Sequence, residues 1–207
     1  MDGCQTILQR GIDQLGLNSK NNEILVLLNF IKLIEKWNKS YNLTSVRNKE
    51  DMARLHILDS LAIIPYLHGD RIADIGTGAG LPGIPLAIFL PDKEFTLVDS
   101  NSKKTRFVQQ AVLELKLKNV KVVHQRVERL TGDLFSSVIM RAFSSIQDIM
   151  SLSRHLIAPQ GILLAMKGNV PNEELTDITE SYTVIPLNVP DVEGERCLIR
   201  IEEANNG

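Results

Sequence analysis

The sequence is short of cysteine, of aromatic residues and of long apolar runs. Its two cysteines, Cys4 and Cys197, lie near opposite ends of the chain, so we expect free thiols and no bound metal. No apolar run approaches the roughly 20 residues that span a bilayer, which predicts a protein without a membrane segment. The opening residues MDGCQTILQRG lack the basic start and apolar stretch of a signal peptide, so we expect a cytoplasmic protein.

An excess of one charge is also missing. Lys and Arg number 23 against 25 Asp and Glu, a formal net charge of −2, which argues against a protein that binds polyanions with its whole surface. A local basic face is compatible with this balance. The 207 residues, 43% of them hydrophobic, are enough for one folded domain with an appendage.

The apolar residues follow a helical spacing up to about Leu67. In one predicted helix they recur at steps of three and four residues, at Ile24, Leu27, Leu28, Ile31 and Ile34. A further helix is predicted to end at Pro65. We therefore predict a helical N-terminal extension, residues 1–67, that packs on a core of residues 68–207 to form one compact unit.

From Arg71 onward, predicted strands alternate with predicted helices. The strands are RIADIG (71–76), FTLVDS (95–100), VKVVH (120–124), SSVIMRAF (136–143) and GILLAMKG (161–168), and the helices are LPGIPLAIFL (81–90), SKKTRFVQQAVLELKL (102–117) and IQDIMSLSRHLI (146–157). Such alternation predicts a doubly wound α/β fold, with a mostly parallel sheet covered on both faces. Two final strand-like runs, TVIPLN and ERCLIRIE, have no helix between them and predict an antiparallel pair.

A glycine-rich turn, Gly76 to Gly80, joins the first predicted strand to its helix. Ligands bind beyond the carboxyl ends of the strands in such sheets, and glycine lets a ligand approach the backbone closely. A tight turn that needs small residues for packing would show the same pattern. Two carboxylates favour a ligand site: Asp74 precedes the turn, and Asp99 ends the next strand, where a carboxylate can bind ribose hydroxyls.

Two prolines indicate which ligand fits this turn. A dinucleotide pyrophosphate binds the free N–H groups of the following helix, but Pro82 and Pro85 carry no N–H. The dinucleotide pattern also requires Gly or Ala where Leu81 stands. With Asp74 adding negative charge, the site suits a ligand with a ribose, no phosphate and a cationic centre, namely S-adenosylmethionine. A nucleotide-dependent oxidoreductase is the less favoured alternative.

Several segments resemble one methyltransferase family. They are WNKSYNLTSV (37–46), HILDSL (56–61), GTGAGLPGIPLA (76–87), VDSNSKK (98–104), RVE (126–128), RAF (141–143) and MKG (166–168). In this order they are similar to the RsmG family, also called GidB, the bacterial 16S ribosomal RNA guanine-N7 methyltransferases. The G-x-G-x-G pattern alone marks only the methyltransferase superfamily, whereas the combination of segments is far more specific.

The resemblance implies a seven-stranded sheet of the S-adenosylmethionine-dependent type and a guanine substrate in the 530 loop of the small ribosomal subunit. It implies a cofactor site made by Gly76, Gly78, Leu81, Asp99, Val127, Glu128 and Arg141, to which the residues themselves add Asp74. Members often carry a basic residue directly before the histidine of HILDS, where this sequence has Leu55. A non-catalytic RNA-binding or ribosome assembly factor on the same fold is the alternative function.

Methylation of guanine N7 requires no proton transfer by the protein. This nitrogen has a lone pair and no proton, so no general base is needed and catalysis can consist mainly of positioning. His56 is accordingly interpreted as structural. The fourth strand ends in MRAFSS, without the Asn/Asp-Pro-Pro-Tyr/Phe segment of amine methylases, and neither cysteine is placed to act as a nucleophile on a pyrimidine ring.

Basic residues near the carboxyl ends of the strands are the candidates for catalysis and RNA binding. Arg141 could donate to guanine O6 or the RNA backbone, or form an ion pair with Asp74 or Glu128. Lys167 could bind phosphate or only cap its strand in solvent. The predicted catalytic residues are Arg141 and Lys167, and the predicted RNA-binding residues are Lys103, Lys104, Arg126, Phe143 and Lys167. We expect a monomer that binds 16S RNA through these basic residues around the mouth of the pocket.

Overall fold

In a computed structural model of the protein, residues 3–19, 21–141 and 145–202 are described. The helical extension contains α1 (Gly3–Gln14), α2 (Asn21–Tyr41), α3 (Lys49–Met52), a π-helical segment (Ala53–Leu58), α4 (Asp59–Leu61) and a 3-10 turn (Ile64–Tyr66). Four further α-helices belong to the core: α5 (Gly83–Phe89), α6 (Ser102–Glu114), α7 (Ile146–Ser153) and α8 (Asn172–Leu175). Short 3-10 turns cover Val127–Arg129 and Arg154–Leu156.

Seven strands form one sheet. They are β1 (Arg71–Ile75), β2 (Glu94–Asp99), β3 (Val120–His124), β4 (Phe135–Arg141), β5 (Ile157–Lys167), β6 (Tyr182–Pro186) and β7 (Cys197–Glu202), in the spatial order β3-β2-β1-β4-β5-β7-β6. β1 to β5 are parallel, and β7 pairs antiparallel with both β5 and β6. The strand order reverses between β1 and β4, so the carboxyl ends of β1, β2 and β4 meet at the switch point where α/β sheets bind ligands.

The extension packs on one face of the sheet and shares its apolar core. Phe30 of α2 stacks on Phe107 of α6 with 6.4 Å between ring centroids, and Trp37 lies 5.8 Å from the same ring. One continuous cluster of buried residues extends from Leu8 through these helices to Leu97 in β2. On the other face, α7 and α8 cover a separate cluster that includes Ile149. The extension is therefore held by burial of apolar surface, the dominant favourable term in folding.

The predicted fold class is confirmed, including the antiparallel pair at the end of the chain. α1, α3 and α8 were not predicted, and the π-helical form of Ala53–Leu58, inside the second predicted helix, was not foreseen. The helix predicted to end at Pro65 ends at Leu61, with Pro65 in the 3-10 turn. The helical part stops at Tyr66 and the sheet begins at Arg71, while the division into units at residue 67 stays a prediction. None of the helices in the described ranges is long and apolar enough to cross a membrane.

Candidate functional site

A pocket of about 530 Å³ lies at the carboxyl ends of β1, β2 and β4. Its walls come from the β1–α5 turn, the β2–α6 and β3–β4 connections, the end of β4 and one residue of α7. The lining residues are Ile75, Gly76, Val98, Asp99, Ser100, Asn101, Lys104, Gln125, Arg126, Val127, Glu128, Arg141 and Leu152. The sheet thus brings together most of the predicted cofactor residues and two of the predicted RNA-binding residues.

The backbone of the glycine turn is folded onto the neighbouring strand. The N–H groups of Gly76 and Thr77 both donate to Val98 O, at 2.8 and 3.0 Å, and Gly78 N–H donates to Asp99 Oδ2 at 2.9 Å. Gly76 and Gly78 have φ of 69° and 58°, a left-handed conformation that glycine adopts without a steric penalty. The turn is therefore held by β2, and its glycines are required by backbone geometry.

The start of α5 offers no free donors to a phosphate. Gly83 N–H donates to Asp74 Oδ2 at 2.8 Å, Ile84 N–H to Gly80 O at 2.8 Å, and Leu86 N–H to Pro82 O at 3.2 Å. Pro85, between them, has no N–H. The prolines had predicted a loss of donors, and α5 begins at Gly83, two residues after the start predicted from the apolar run. Since the remaining first-turn donors are also occupied, a pyrophosphate has no binding surface here.

Asp74 lies beneath the turn instead of in the pocket. It is completely buried, and its Oδ2 accepts hydrogen bonds from Thr77 Oγ1 at 2.6 Å and from Gly83 N–H. Burial raises the pKa of this carboxyl to about 6, against the lowering effect of its hydrogen bonds. Asp74 thus has no exposed surface beside the pocket and ties the turn to α5, and its contact with the cofactor stays a prediction.

Asp99 lies in the pocket wall with only 8% of its surface exposed. Its two oxygens accept from Gly78 N–H and, at 2.8 Å, from Asn101 N–H. Each carboxylate oxygen has a second lone pair, so Asp99 can still accept two hydroxyl groups. Val127 and Glu128 line the same pocket from the 3-10 turn after β3.

Besides Asp74, two further predicted cofactor residues do not line this pocket. Leu81 is 4% exposed and belongs to the apolar core, because the turn directs it under α5. Gly78 is partly exposed and contacts the pocket wall only through its bond to Asp99. Their roles in cofactor binding stay predictions.

Arg141 ends β4 and faces the pocket, but its partner was not foreseen. Nη1 lies 3.1 Å from Asp59 Oδ2 and 3.3 Å from Leu55 O. The alternative considered for Arg141, an ion pair with Asp74 or Glu128, is not the one formed among the described residues, because the extension brings Asp59 of α4 to the end of β4. Burial raises the pKa of Asp59, although Arg141 acts in the opposite direction. A carboxylate on the otherwise apolar run around Ile57 and Leu61 was the available sequence signal.

Lys167 ends β5 and is paired within the protein. Its Nζ lies 2.9 and 3.2 Å from the two oxygens of Glu174 in α8, and its side chain is 15% exposed. Glu174 also accepts from Ile146 N–H at the start of α7, at 2.7 Å. A strand cap in solvent does not describe this arrangement, and the phosphate contact stays a prediction. The pairing was missed because α8 was missed.

Cations with exposed or partly exposed side chains lie at the pocket and on the segments beside it. Lys103 and Lys104 open α6, whose N-terminus is capped by Asn101, and Lys104 and Arg126 line the pocket itself. Within residues 3–19, 21–141 and 145–202, no ion pair involves Lys103, Lys104 or Arg126, nor Arg106 or Arg129 nearby. Phe143, the predicted stacking residue, lies outside the described residues.

His56 is buried in the extension. Its Nε2 lies 2.8 Å from Thr44 Oγ1, and burial, with the nearby charge of Arg141, lowers its pKa to about 4. Thr44 is in turn held by Asn38, which donates from Nδ2 to Thr44 O at 2.9 Å and accepts from Thr44 N–H. The structure agrees with the interpretation of His56 as structural. The role of Asn38 was missed, although WNKSYNLTSV marked its segment.

The sequence of the whole chain identifies its family. The GidB family model, described as rRNA small subunit methyltransferase G, matches residues 23–199. The chain belongs to the GidB family. Ribosomal RNA small subunit methyltransferase G of Nitrosococcus oceani is 45% identical to it, over 98% of this chain and 97% of that protein. The protein of that name from Psychromonas ingrahamii is 46% identical, over 94% and 96%.

Solved structures share the fold at low sequence identity. A methyltransferase from Geobacter sulfurreducens superposes with a TM-score of 0.59 at 13% identity, covering 85% of this chain and 89% of that one. A SAM-dependent methyltransferase from Aquifex aeolicus gives 0.56 at 18% identity, covering 72% and 92%. At this identity the comparison shows the fold alone. The predicted family and the predicted methyltransferase type of fold are both confirmed.

Proposed function

We propose that the protein transfers a methyl group from S-adenosylmethionine to N7 of a guanine in 16S ribosomal RNA, in the 530 loop of the small subunit. Membership of the GidB family supports the reaction and the substrate. The observation that carries the proposal is the entrance of α5, where the backbone donors are occupied, beside a wall that presents Asp99. This combination accepts a ribose and excludes a diphosphate.

The pocket residues fit an adenosine-bearing sulfonium. Asp99 is placed to accept the ribose hydroxyls, and Val127 with Glu128 forms the wall proposed for adenine. Gly76 has no side chain, which keeps the end of β1 open to the cofactor. The bound cofactor supplies the electrophilic methyl group.

Positioning of guanine accounts for the chemistry required of the protein. N7 attacks the methyl carbon in line with the departing sulfur, and no proton is removed. Arg141, at the end of β4, is the proposed catalytic residue, since its guanidinium can donate to guanine O6. Lys167 is proposed to contribute by exchanging Glu174 for an RNA phosphate. His56 is buried in the extension with its Nε2 on Thr44, away from the pocket, so it takes no part as a base.

The cations at and beside the pocket mouth form the proposed RNA-binding surface. Lys103, Lys104 and Arg126 surround the pocket mouth and are proposed to bind phosphates, which supply most non-specific affinity for nucleic acid. Phe143 is proposed to stack on the splayed guanine. We further propose that the protein acts as a monomer in the cytoplasm, where small ribosomal subunits are assembled.

Methyl transfer to defined RNA tests this function. The purified protein is incubated with labelled S-adenosylmethionine and small-subunit RNA from a strain that lacks the enzyme, and the RNA is then digested to nucleosides. We expect label in 7-methylguanosine and none with RNA from a strain that contains the enzyme. Strong RNA binding that ignores the cofactor and gives no methyl product would support an assembly factor instead.

A further inference from the structure

The role of the HILDSL segment in the reaction follows from the position of Asp59. This residue is 7% exposed and lies at the start of α4, in the helical extension and not in the sheet. Its Oδ2 lies 3.1 Å from Arg141 Nη1, and its Oδ1 lies 3.4 Å from Arg196 Nε. A buried carboxylate of the extension thus contacts the arginine that lines the pocket.

We propose that Asp59 is a positioning residue that holds the guanidinium of Arg141 in the orientation that the methyl acceptor requires. The inference rests on the proposed function, because the oriented group acts on the guanine. It gives the N-terminal extension a part in the reaction beyond packing on the sheet. Asp59 itself touches neither cofactor nor RNA in this scheme.

The π-helical segment supplies the second contact of Arg141, through Leu55 O. In an α-helix Asp59 N–H would donate to Leu55 O, four residues earlier. Here it donates to Arg54 O and His56 O and not to Leu55 O, and Leu55 O accepts from Arg141 Nη1 at 3.3 Å. Such local π-turns occur frequently at functional sites. The carbonyl and the carboxylate together fix Nη1 from two directions.

The arrangement leaves donors for a substrate. A guanidinium has five N–H donors, and both contacts of Arg141 within the described part of the chain use Nη1. The N–H groups of Nη2 and Nε are therefore left for a ligand. Only 19% of the Arg141 side chain is exposed, so solvent does little to orient its guanidinium. The orientation depends on the contact with Asp59.

Substitution of Asp59 separates turnover from cofactor binding. We expect Asp59→Asn to lower kcat at least about tenfold, because a small misplacement of a positioned group is enough for such a loss. The Kd for S-adenosylmethionine, measured by calorimetry, should change less than about threefold. In an Arg141→Ala background, Asp59→Asn should cause no further loss of kcat, since its effect is transmitted through Arg141.

Two controls distinguish positioning from structural support. Arg196→Gln removes the second cation of Asp59, and we expect kcat to be retained. Asp133→Asn removes a carboxylate that also contacts two cations, Arg71 and Lys121, at the amino ends of the strands. This substitution should leave kcat unchanged. Thermal melting of each variant shows whether it is folded at the assay temperature.

The outcomes are distinct. Additive losses in the double variant, or an equal loss in Arg196→Gln, overturn the positioning role. A wild-type protein without methyl transfer refutes the proposed function itself, before any variant is compared. If Asp59→Asn fails to fold, a crystal structure of the wild-type complex with cofactor decides the question: Arg141 within hydrogen-bond distance of Asp59 supports the proposal, and Arg141 turned away from it overturns it.

Discussion

At the scale of single residues, three buried aspartates of similar sequence appearance have different roles because their surroundings differ. Asp74 is sealed under the glycine turn, where it binds Thr77 and Gly83. Asp99 lies in the pocket wall with lone pairs left for a ligand. Asp59 neutralises an arginine at the end of β4. Burial and partners, not residue type, decide which carboxylate can bind the cofactor.

Replacement of Asp99 by Ala tests the ribose contact. Loss of hydrogen bonds to a charged acceptor is worth roughly 1.5–3 kcal/mol each, so we expect the Kd for S-adenosylmethionine to rise by about tenfold to a hundredfold. Isothermal calorimetry measures this change. Asp92→Ala, at an exposed aspartate before β2, is the matched control, and an equal effect of both substitutions would refute the assigned role of Asp99.

The lowered pKa of His56 predicts a loss of stability in acid. Between its ordinary value of 6.5 and about 4, the unfolded chain binds a proton at this residue that the folded protein does not, so the free energy of unfolding falls as the pH falls. From pH 7 to pH 5 this residue should contribute a loss of ~2 kcal/mol. Urea unfolding of the wild type and His56→Gln at both pH values measures it.

The variant should lose less stability in acid than the wild type. Asp74, whose pKa is raised, acts in the opposite direction below pH 6, but it is present in both proteins and cancels in the comparison. His124→Gln, at an exposed histidine of β3, should behave like the wild type. Identical pH dependence of the wild type and His56→Gln would contradict the burial of a neutral imidazole.

At the scale of elements, the junction between β1 and α5 is built around a close approach of backbone to side chains. A Cβ on Gly83 would collide with Leu97 Cδ2 and lie 2.8 Å from Asp74 Oδ2. The helix can start here only because this position has no side chain. The first turn of α5 is thereby pressed against β2, and its N–H groups are turned inward to protein acceptors.

Gly83→Ala should therefore disturb both stability and the cofactor site. Overpacking of a filled core costs about 1–3 kcal/mol, and we expect a lower Tm together with weaker binding of S-adenosylmethionine. Gly168→Ala is the control, because a Cβ there has no neighbour within 4 Å. A Gly83→Ala protein with unchanged melting would show that α5 can shift to make room.

At the scale of the whole molecule, a nearly neutral protein keeps several unpaired cations beside its pocket. Many basic side chains elsewhere are bound to carboxylates, as Arg71 is to Asp133 and Lys93 to Asp70. The described cations at the pocket mouth, including Lys104 and Arg126, have no such partner in the part of the chain that the structure describes. A formal charge of −2 is therefore compatible with a local basic surface at this end of the sheet.

The salt dependence of RNA binding measures how much these cations contribute to binding RNA phosphates. If Lys104 and Arg126 each bind a phosphate, Lys104→Gln and Arg126→Gln should each lower the slope of log K against log salt concentration by about 0.7–1. Filter binding at several salt concentrations provides the slopes. Lys116→Gln and Lys118→Gln, beyond the other end of α6, are the controls, and equal changes at both ends would disprove a localised RNA surface.

The sequence by itself determined the fold class, because strands buried on both faces and helices with one apolar face have different hydrophobic periods. It also determined the ligand class at the glycine turn, since proline at Pro82 and Pro85 removes N–H groups whatever the rest of the chain does. The family segments could be recognised for the same reason, because each is a short run of consecutive residues. These inferences depend on neighbours within about a dozen residues.

Only the tertiary structure decided which side chains meet. Asp59 and Arg141 are separated by 82 residues in the chain, and no periodic pattern encodes the packing that joins them. The pairing of Lys167 with Glu174 depended on a four-residue helix too short to leave a pattern. The depth of Asp74 depended on how closely α5 approaches β2. Long-range contacts follow from the sum of many weak packing interactions, which is why the partners of the site residues became visible only in the folded molecule.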